Sequence, residues 1–229
     1  MERTGRSRRW LSARSPLSSC TLTSAIGRCL ILVFGSTLST VCYGLTIRAS
    51  LGLGPLFVAQ DGLAHIAGIA IGTSVMVVGV ALIVAALALG ATPGPGTLVL
   101  PFLSGATLDF LLPHIPNVHG LGLRLSIVII STWFMALGGS LIIRAALGAA
   151  AYDTVMLGLH RLFGGRRRIA SIRAGMELSM LICGWLMGGA VGIGTVLTAT
   201  LIGPAMQFWL RGFAPKVLSP AGTRVTASA

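Results

Sequence analysis

A chain of 229 residues that is 54% hydrophobic and only 10% charged, with a mean hydropathy of +0.90, is too apolar for a soluble domain, in which about 25% of residues are charged. The net charge of +12 does not point to nucleic acid, because the basic residues cluster beside apolar runs instead of among aromatic or base-reading groups. Four cysteines with no CxxC and no Cys/His cluster indicate neither a disulfide framework nor a zinc site, and they read as small membrane-buried hydrophobes.

In chain order, residues 1–28 are rich in Arg, Ser and Thr and are expected to form a disordered, basic cytoplasmic tail. "SRRWL" (7–11) is loosely similar to a twin-arginine signal, but the apolar run starts eighteen residues later and no cleavage pattern follows it. Charge-free runs then mark the spans. Residues 29–47, 69–90 and 125–143 are each long enough to cross a bilayer, for which a helix needs about 20 residues. Two further runs open with a glycine break, "ATPGPGT" (91–97) and "GGAVGIGT" (188–195), and each continues for 16 residues, 97–112 and 195–210. At ~1.5 Å per residue those cover roughly 24 Å, so the Gly turn must be included in a full crossing. A second basic cluster, Arg161, Arg166, Arg167, Arg168 and Arg173, precedes the last run, and a basic tail, 211–229, closes the chain.

The halves repeat each other. At an offset of 96, residues 45–68 match 141–164 at nine of 24 positions, among them Ile47, Arg48, Ala49, Leu51 and Gly52. At an offset of 98, residues 94–112 match 192–210 at seven of 19, including Gly94, Gly96, Thr97, Gly105 and Phe110. Chance Leu and Ala matches are common in membrane sequences, but aligned Arg48/Arg144 and a paired GxGT are not. This gives repeat 1 over 29–112, a linker over 113–124 and repeat 2 over 125–210. Gly184, Gly188 and Gly192, and Ala86, Gly90 and Gly94 in the first half, recur every four residues, a spacing that lets helix backbones approach closely.

Within each repeat one stretch is too polar to cross alone. "IRASLGLGPLFVAQDGL" (47–63) carries Arg48, Gly52, Gly54, Pro55 and Asp61, and "IRAALGAAAYDTVMLGL" (143–159) carries Arg144, Gly148 and Asp153. A central charge costs about 3 kcal/mol on insertion scales. Short or re-entrant helices therefore fit better than crossings. Counts of basic residues do not separate six crossings from eight; polarity favours six, with both termini cytoplasmic. The expected fold is an all-α polytopic membrane bundle of two homologous halves, inverted repeats of three spans plus one short segment each.

These motifs, "IRASLGLGP…GL" with "GPGT…SGATLDF" and "IRAALG…YDTVMLGL" with "GIGTVLTATLIGP", resemble the YczE/YitT group of bacterial integral membrane proteins over roughly residues 44–210. The resemblance implies that architecture and a bacterial plasma membrane, and no particular activity. That group tends to show LGxxPxD. Here the first half keeps Pro55 but has Phe57 at the acid, and the second keeps Asp153 but has Ala151 at the proline. Likewise Asp109 has Gln207 as its counterpart, so the resemblance does not imply a symmetric acidic pair.

Intramembrane ionisable groups are the default functional candidates: Arg48, Asp61, Asp109, Arg144, Asp153 and Glu177. Each has a structural alternative. Arg173 and Glu177, four apart, share a helix face and make an ion pair; Arg48 and Arg144 end equivalent spans and can snorkel to headgroups. The glycines of the breaks (Gly52, Gly54, Gly94, Gly96, Gly148, Gly192 and Gly194, with Pro55) mark where short segments meet a central site in inverted-repeat transporters. The histidines show no metal spacing, the serines lack a His/Asp arrangement, and no cofactor is indicated. The expected function is a small-solute transporter or permease-like protein, not an enzyme. A small anionic or amphipathic solute is the hypothesis, drawn from the helix-dipole argument. The alternatives are a channel with two re-entrant helices and a non-transporting accessory protein for a cytoplasmic partner. Expected partners are the bilayer and its anionic headgroups; self-association is open.

Overall fold

An apolar segment in lipid must satisfy every backbone N–H and C=O within itself, so the charge-free runs fold as helices. The computed structural model describes residues 22–164 and 169–213, and among them lie eight α-helices and no strand. They are α1 (Leu22–Ala49), α2 (Pro55–Ala67), α3 (Ile71–Ala88), α4 (Pro95–Leu111), α5 (Leu121–Ala145), α6 (Ala151–Leu162), α7 (Ile169–Leu186) and α8 (Ile193–Phe213). Six of these, all but α2 and α6, are long and apolar enough to cross a membrane. The protein is a polytopic, all-helical membrane protein. α2 and α6 have 13 and 12 residues; at ~1.5 Å per residue each reaches under about 20 Å, short of the ~30 Å hydrocarbon core.

The element boundaries differ from the expected ones at three places. Residues 22–28, expected in the disordered tail, are the first turns of α1, because adding a turn to a packed helix costs little once the helix exists. α5 starts inside the expected linker, and α8 runs past 210. The rest of both tails and Arg166 to Arg168 lie outside the described residues.

α1 and α5 form the central pair and run antiparallel. Gly35 of α1 faces Gly138 and Leu141 of α5, and the Ser39 hydroxyl donates to the Met135 carbonyl at 3.4 Å. Arg124, at the start of α5, donates to the Ala49 carbonyl and, at 2.8 Å, to that of Ser50, at the end of α1. α4 packs on α1 and α8 on α5; α2 packs on α7 and α6 on α3. Each short helix therefore leans on a long helix of the other half.

The contacts also sort the loops into two ends. Arg48, the 112–117 segment, Arg124 and the turn before α8 gather at one end. Arg48 donates to Asn117 Oδ1 at 3.1 Å and to the Leu112 carbonyl at 2.5 Å, and Leu53 N–H donates to the Ala190 carbonyl. Arg28, Gly94, Pro95, Leu147 and Arg161 gather at the other, around one opening. Buried hydroxyls turn onto their own helices: Thr40 donates to Ser36, Thr132 to Val128 and Ser140 to Ala136. They cost no partner helix a hydrogen bond. Large apolar side chains such as Phe34, Val84, Phe110, Trp185 and Leu186 point outward, as lipid requires.

Candidate functional site

The two polar interruptions have the same backbone. Ser50 and Ala146 are left-handed at φ 48° and 53°, and Gly52 and Gly148 follow at 105° and 136°. No side chain fits at the two glycines, since a Cβ on Gly52 would stand 2.7 Å from Thr195 Oγ1 and one on Gly148 2.6 Å from Thr97 Oγ1. Those threonines belong to the GxGT motifs, and the pairing crosses between halves. Gly194 N–H donates to the Leu51 carbonyl at 2.7 Å, and Gly96 N–H to the Leu147 carbonyl at 2.9 Å. Thr97 Oγ1 adds a 2.5 Å bond to the Ala149 carbonyl. Thus "IRASLG" is held by "GIGT" and "IRAALG" by "GPGT".

The two crossings differ in how they are closed. Asp61 Oδ2 accepts the Ala190 N–H at 2.8 Å and seals the first. Ninety-six residues on, Leu157 occupies the matching place and offers no acceptor; 98 residues before Ala190 stands Thr92. Both line an open cavity of about 410 Å³ with Arg28, Arg161, Gly94 and Gly148 around it.

After each crossing the chain turns back and starts a short helix, and the starts of α2 and α6 converge. Neither has a side-chain cap: Gly54 and Ala150 occupy the cap positions. Two cavities flank the tips, one of about 230 Å³ and one of about 120 Å³. Leu56, Phe57 and Tyr152 line both and form the partition between them. The linings correspond at the offsets found in the sequence. Ala150, Ala151, Ser39, Leu100, Pro101 and Ser104 line the larger cavity. Gly54, Pro55, Met135, Thr198, Ala199 and Ile202 line the smaller. The chemistry diverges at two positions on the second long helix of each half, α3 and α7. The larger cavity has Val75 and Gly79, while the smaller has Arg173 and Glu177.

That difference has a packing cause. Gly79 lets α3 close onto Pro101 of α4, where an added Cβ would stand 2.7 Å from the ring Cγ. With Glu177 in the matching place, opposite Ala199, the smaller cavity separates α7 from α8. Arg173 Nε donates to Glu177 Oε1 at 2.9 Å, and Tyr152 OH reaches the Arg173 carbonyl at 3.5 Å. Asp153, next to Tyr152, lies within the field of Arg173.

Of the sequence candidates, then, Arg173 and Glu177 come together in the wall of the smaller cavity, and Asp153 follows Tyr152 of that wall in the chain. The others are held elsewhere. Arg48 is bound to the 112–117 segment and Asp61 closes a crossing. Asp109 accepts from Gly72 N–H at 2.7 Å and Thr73 Oγ1 at 3.1 Å, capping the start of α3. Arg144 ends α5 at the second interruption. The residues that sequence reasoning missed are uncharged: Tyr43, which stacks on Phe57 with ring centroids 4.0 Å apart, Gln60 and Tyr152. Gln60 stands beside Asp61 in the sequence, and only the period of α2 separates the side chain that faces the cavity from the one that faces the crossing.

Residues 26–211 match a family of unknown function (DUF6198). The chain is 32% identical over 184 residues to an uncharacterized protein of Haemophilus influenzae, covering 79% of this chain and 82% of that one. It is 32% identical over 189 residues to the "Uncharacterized membrane protein YczE" of Bacillus subtilis, covering 79% of this chain and 81% of the relative. No solved structure matches it. On a match through nearly all of the described helices and two relatives aligned over four-fifths of their own lengths, the chain belongs to the DUF6198 family.

Proposed function

We propose that this protein is a transporter of a small amphipathic solute, built as two inverted repeats. The observation that carries the reading is the convergence of the two short-helix tips on a shared pair of cavities. Support for inversion comes from α1 and α5, equivalent by sequence and antiparallel in space. It comes also from the reciprocal packing of α2 on α7 and of α6 on α3. Discontinuous helices whose starts meet at a central site are the plan of inverted-repeat transporters. The lining supports an amphipathic solute: an apolar chamber on one side of Tyr152, and the Arg173–Glu177 pair on the other.

With one crossing sealed by Asp61 and its counterpart open beside Arg28 and Arg161, the arrangement is that of a state open to one side. Basic residues gather on the cytoplasmic face, so that side is the cytoplasm, and both termini lie there in the plasma membrane. Proteoliposomes test the reading. Saturable uptake of labelled amphipathic alcohols, amines or acids is expected, and Ser104→Phe, which fills the larger chamber, should abolish it. Unitary currents in a planar bilayer would replace the transporter with a channel. Uptake that Ser104→Phe leaves unchanged would remove the cavities from the path.

A further inference from the structure

The larger chamber carries an unmet hydrogen-bonding demand. Gln60 is 5% exposed and lines this chamber, and its Oε1 has no hydrogen-bond partner among the described residues. Its backbone is fixed from behind, where the Ser74 hydroxyl donates to the Gln60 carbonyl at 2.5 Å. The other polar groups of the chamber cannot help it. Ser39 donates to Met135, Thr40 to Ser36 and Tyr43 to the Phe57 carbonyl, while Ser104 is paired with Ser36 at 3.0 Å. Every protein hydroxyl there is already engaged. A buried acceptor left unpaired is costly, and a buried polar group without a partner is retained where something outside the chain supplies one.

We infer that the larger chamber binds the apolar body of a solute that carries an N–H or O–H group, which donates to Gln60 Oε1. The inference rests on the reading of the paired cavities as a solute site and names the chemistry of its ligand. No charged side chain lines this chamber, so the donor is borne by an uncharged group. The apolar wall of Leu56, Val75, Leu82 and Leu100 fixes the rest.

The test uses two probes of nearly one shape, 1-naphthol and 1-fluoronaphthalene, of which only the first carries a donor. Binding is measured by titration calorimetry on the full-length protein in nanodiscs, with empty nanodiscs subtracted for lipid partitioning. The alcohol is expected to bind about tenfold more tightly than the fluoride, the factor one net hydrogen bond supplies. Gln60→Met, close in volume and lacking the acceptor, should bind both alike. Equal binding of the two probes by the wild type would overturn the inference without recourse to any variant, as would a preference that survives Gln60→Met. Binding of the alcohol in a protein that gives no facilitated uptake would remove the transport reading and leave this assignment standing.

Discussion

At the scale of single residues, the glycines of the two interruptions decide more than the charges do. Gly52 is needed twice over: its φ of 105° excludes a side chain, and the backbone of Gly192 and Thr195 Oγ1 occupy the space where one would go. Gly52→Ala combines backbone strain with overpacking and should cost about 2–4 kcal/mol. Gly122, in the first turn of α5, has nothing within 4 Å of an added Cβ, so Gly122→Ala should be neutral or stabilising by up to about 1 kcal/mol. Thermal unfolding of both variants in one detergent checks the contrast. Equal melting temperatures would mean that the cross-half contact contributes nothing to stability. Asp109 shows the same priority of structure over charge. A carboxylate in an apolar chain invites a functional reading, yet its bonds to Gly72 and Thr73 place negative charge at the start of α3, where the helix dipole favours it.

At the scale of elements, much of the architecture is legible in the sequence, for a physical reason. Lipid demands long apolar helices, so five of the six spans appear as apolar runs, and the two short helices appear as places where Arg48, Asp61, Arg144 and Asp153 interrupt them. The sixth span, α7, is not visible that way because Arg173 and Glu177 lie within it. The GxGT motifs are visible too, as glycine pairs at a fixed offset. What they do is not visible, because their partners are the interruptions of the opposite half, and nothing local in "GPGT" says that Leu147 will meet it. The chambers are less legible still. Gln60, Tyr43 and Ser104 are ordinary residues on ordinary helices until α2 folds back among them. The antiparallel course of α1 and α5 has a direct consequence for topology. Thr92 and His119 are both exposed and lie on opposite sides of α4 in the chain. In a background without native cysteines, a membrane-impermeant thiol reagent applied to intact cells should label His119→Cys and leave Thr92→Cys unlabelled. With α1 and α5 antiparallel, the reverse pattern would turn the whole protein over in the membrane and place both termini outside.

At the scale of the whole molecule, the proposed transport function requires that the likeness of the two halves be broken and that the break be able to change sides. The two crossings are built from the same backbone and the same motifs, yet only one has an acid to close it. Asp61 accepts from Ala190 N–H, and Leu53 N–H donates to the Ala190 carbonyl beside it, so the turn before α8 is clamped on both its donor and its acceptor. Loss of the charged acceptor should loosen that clamp by about 1.5–3 kcal/mol and raise the population of the state open at the Arg48 end. Thr195, 4% exposed and seated in the closed crossing, reports the change. In a cysteine-free background, Thr195→Cys should react slowly with an impermeant thiol reagent added from the Arg48 side. Adding Asp61→Asn should speed the reaction at least about tenfold, the factor that the lower end of that range supplies. The opposite cavity should narrow in the same population, so a thiol at Leu157→Cys, exposed beside Arg161, should lose reactivity from the other side as Thr195→Cys gains it. Reciprocal change at the two ends is what alternating access requires; a gain at Thr195→Cys with no loss at Leu157→Cys would be local fraying of one crossing.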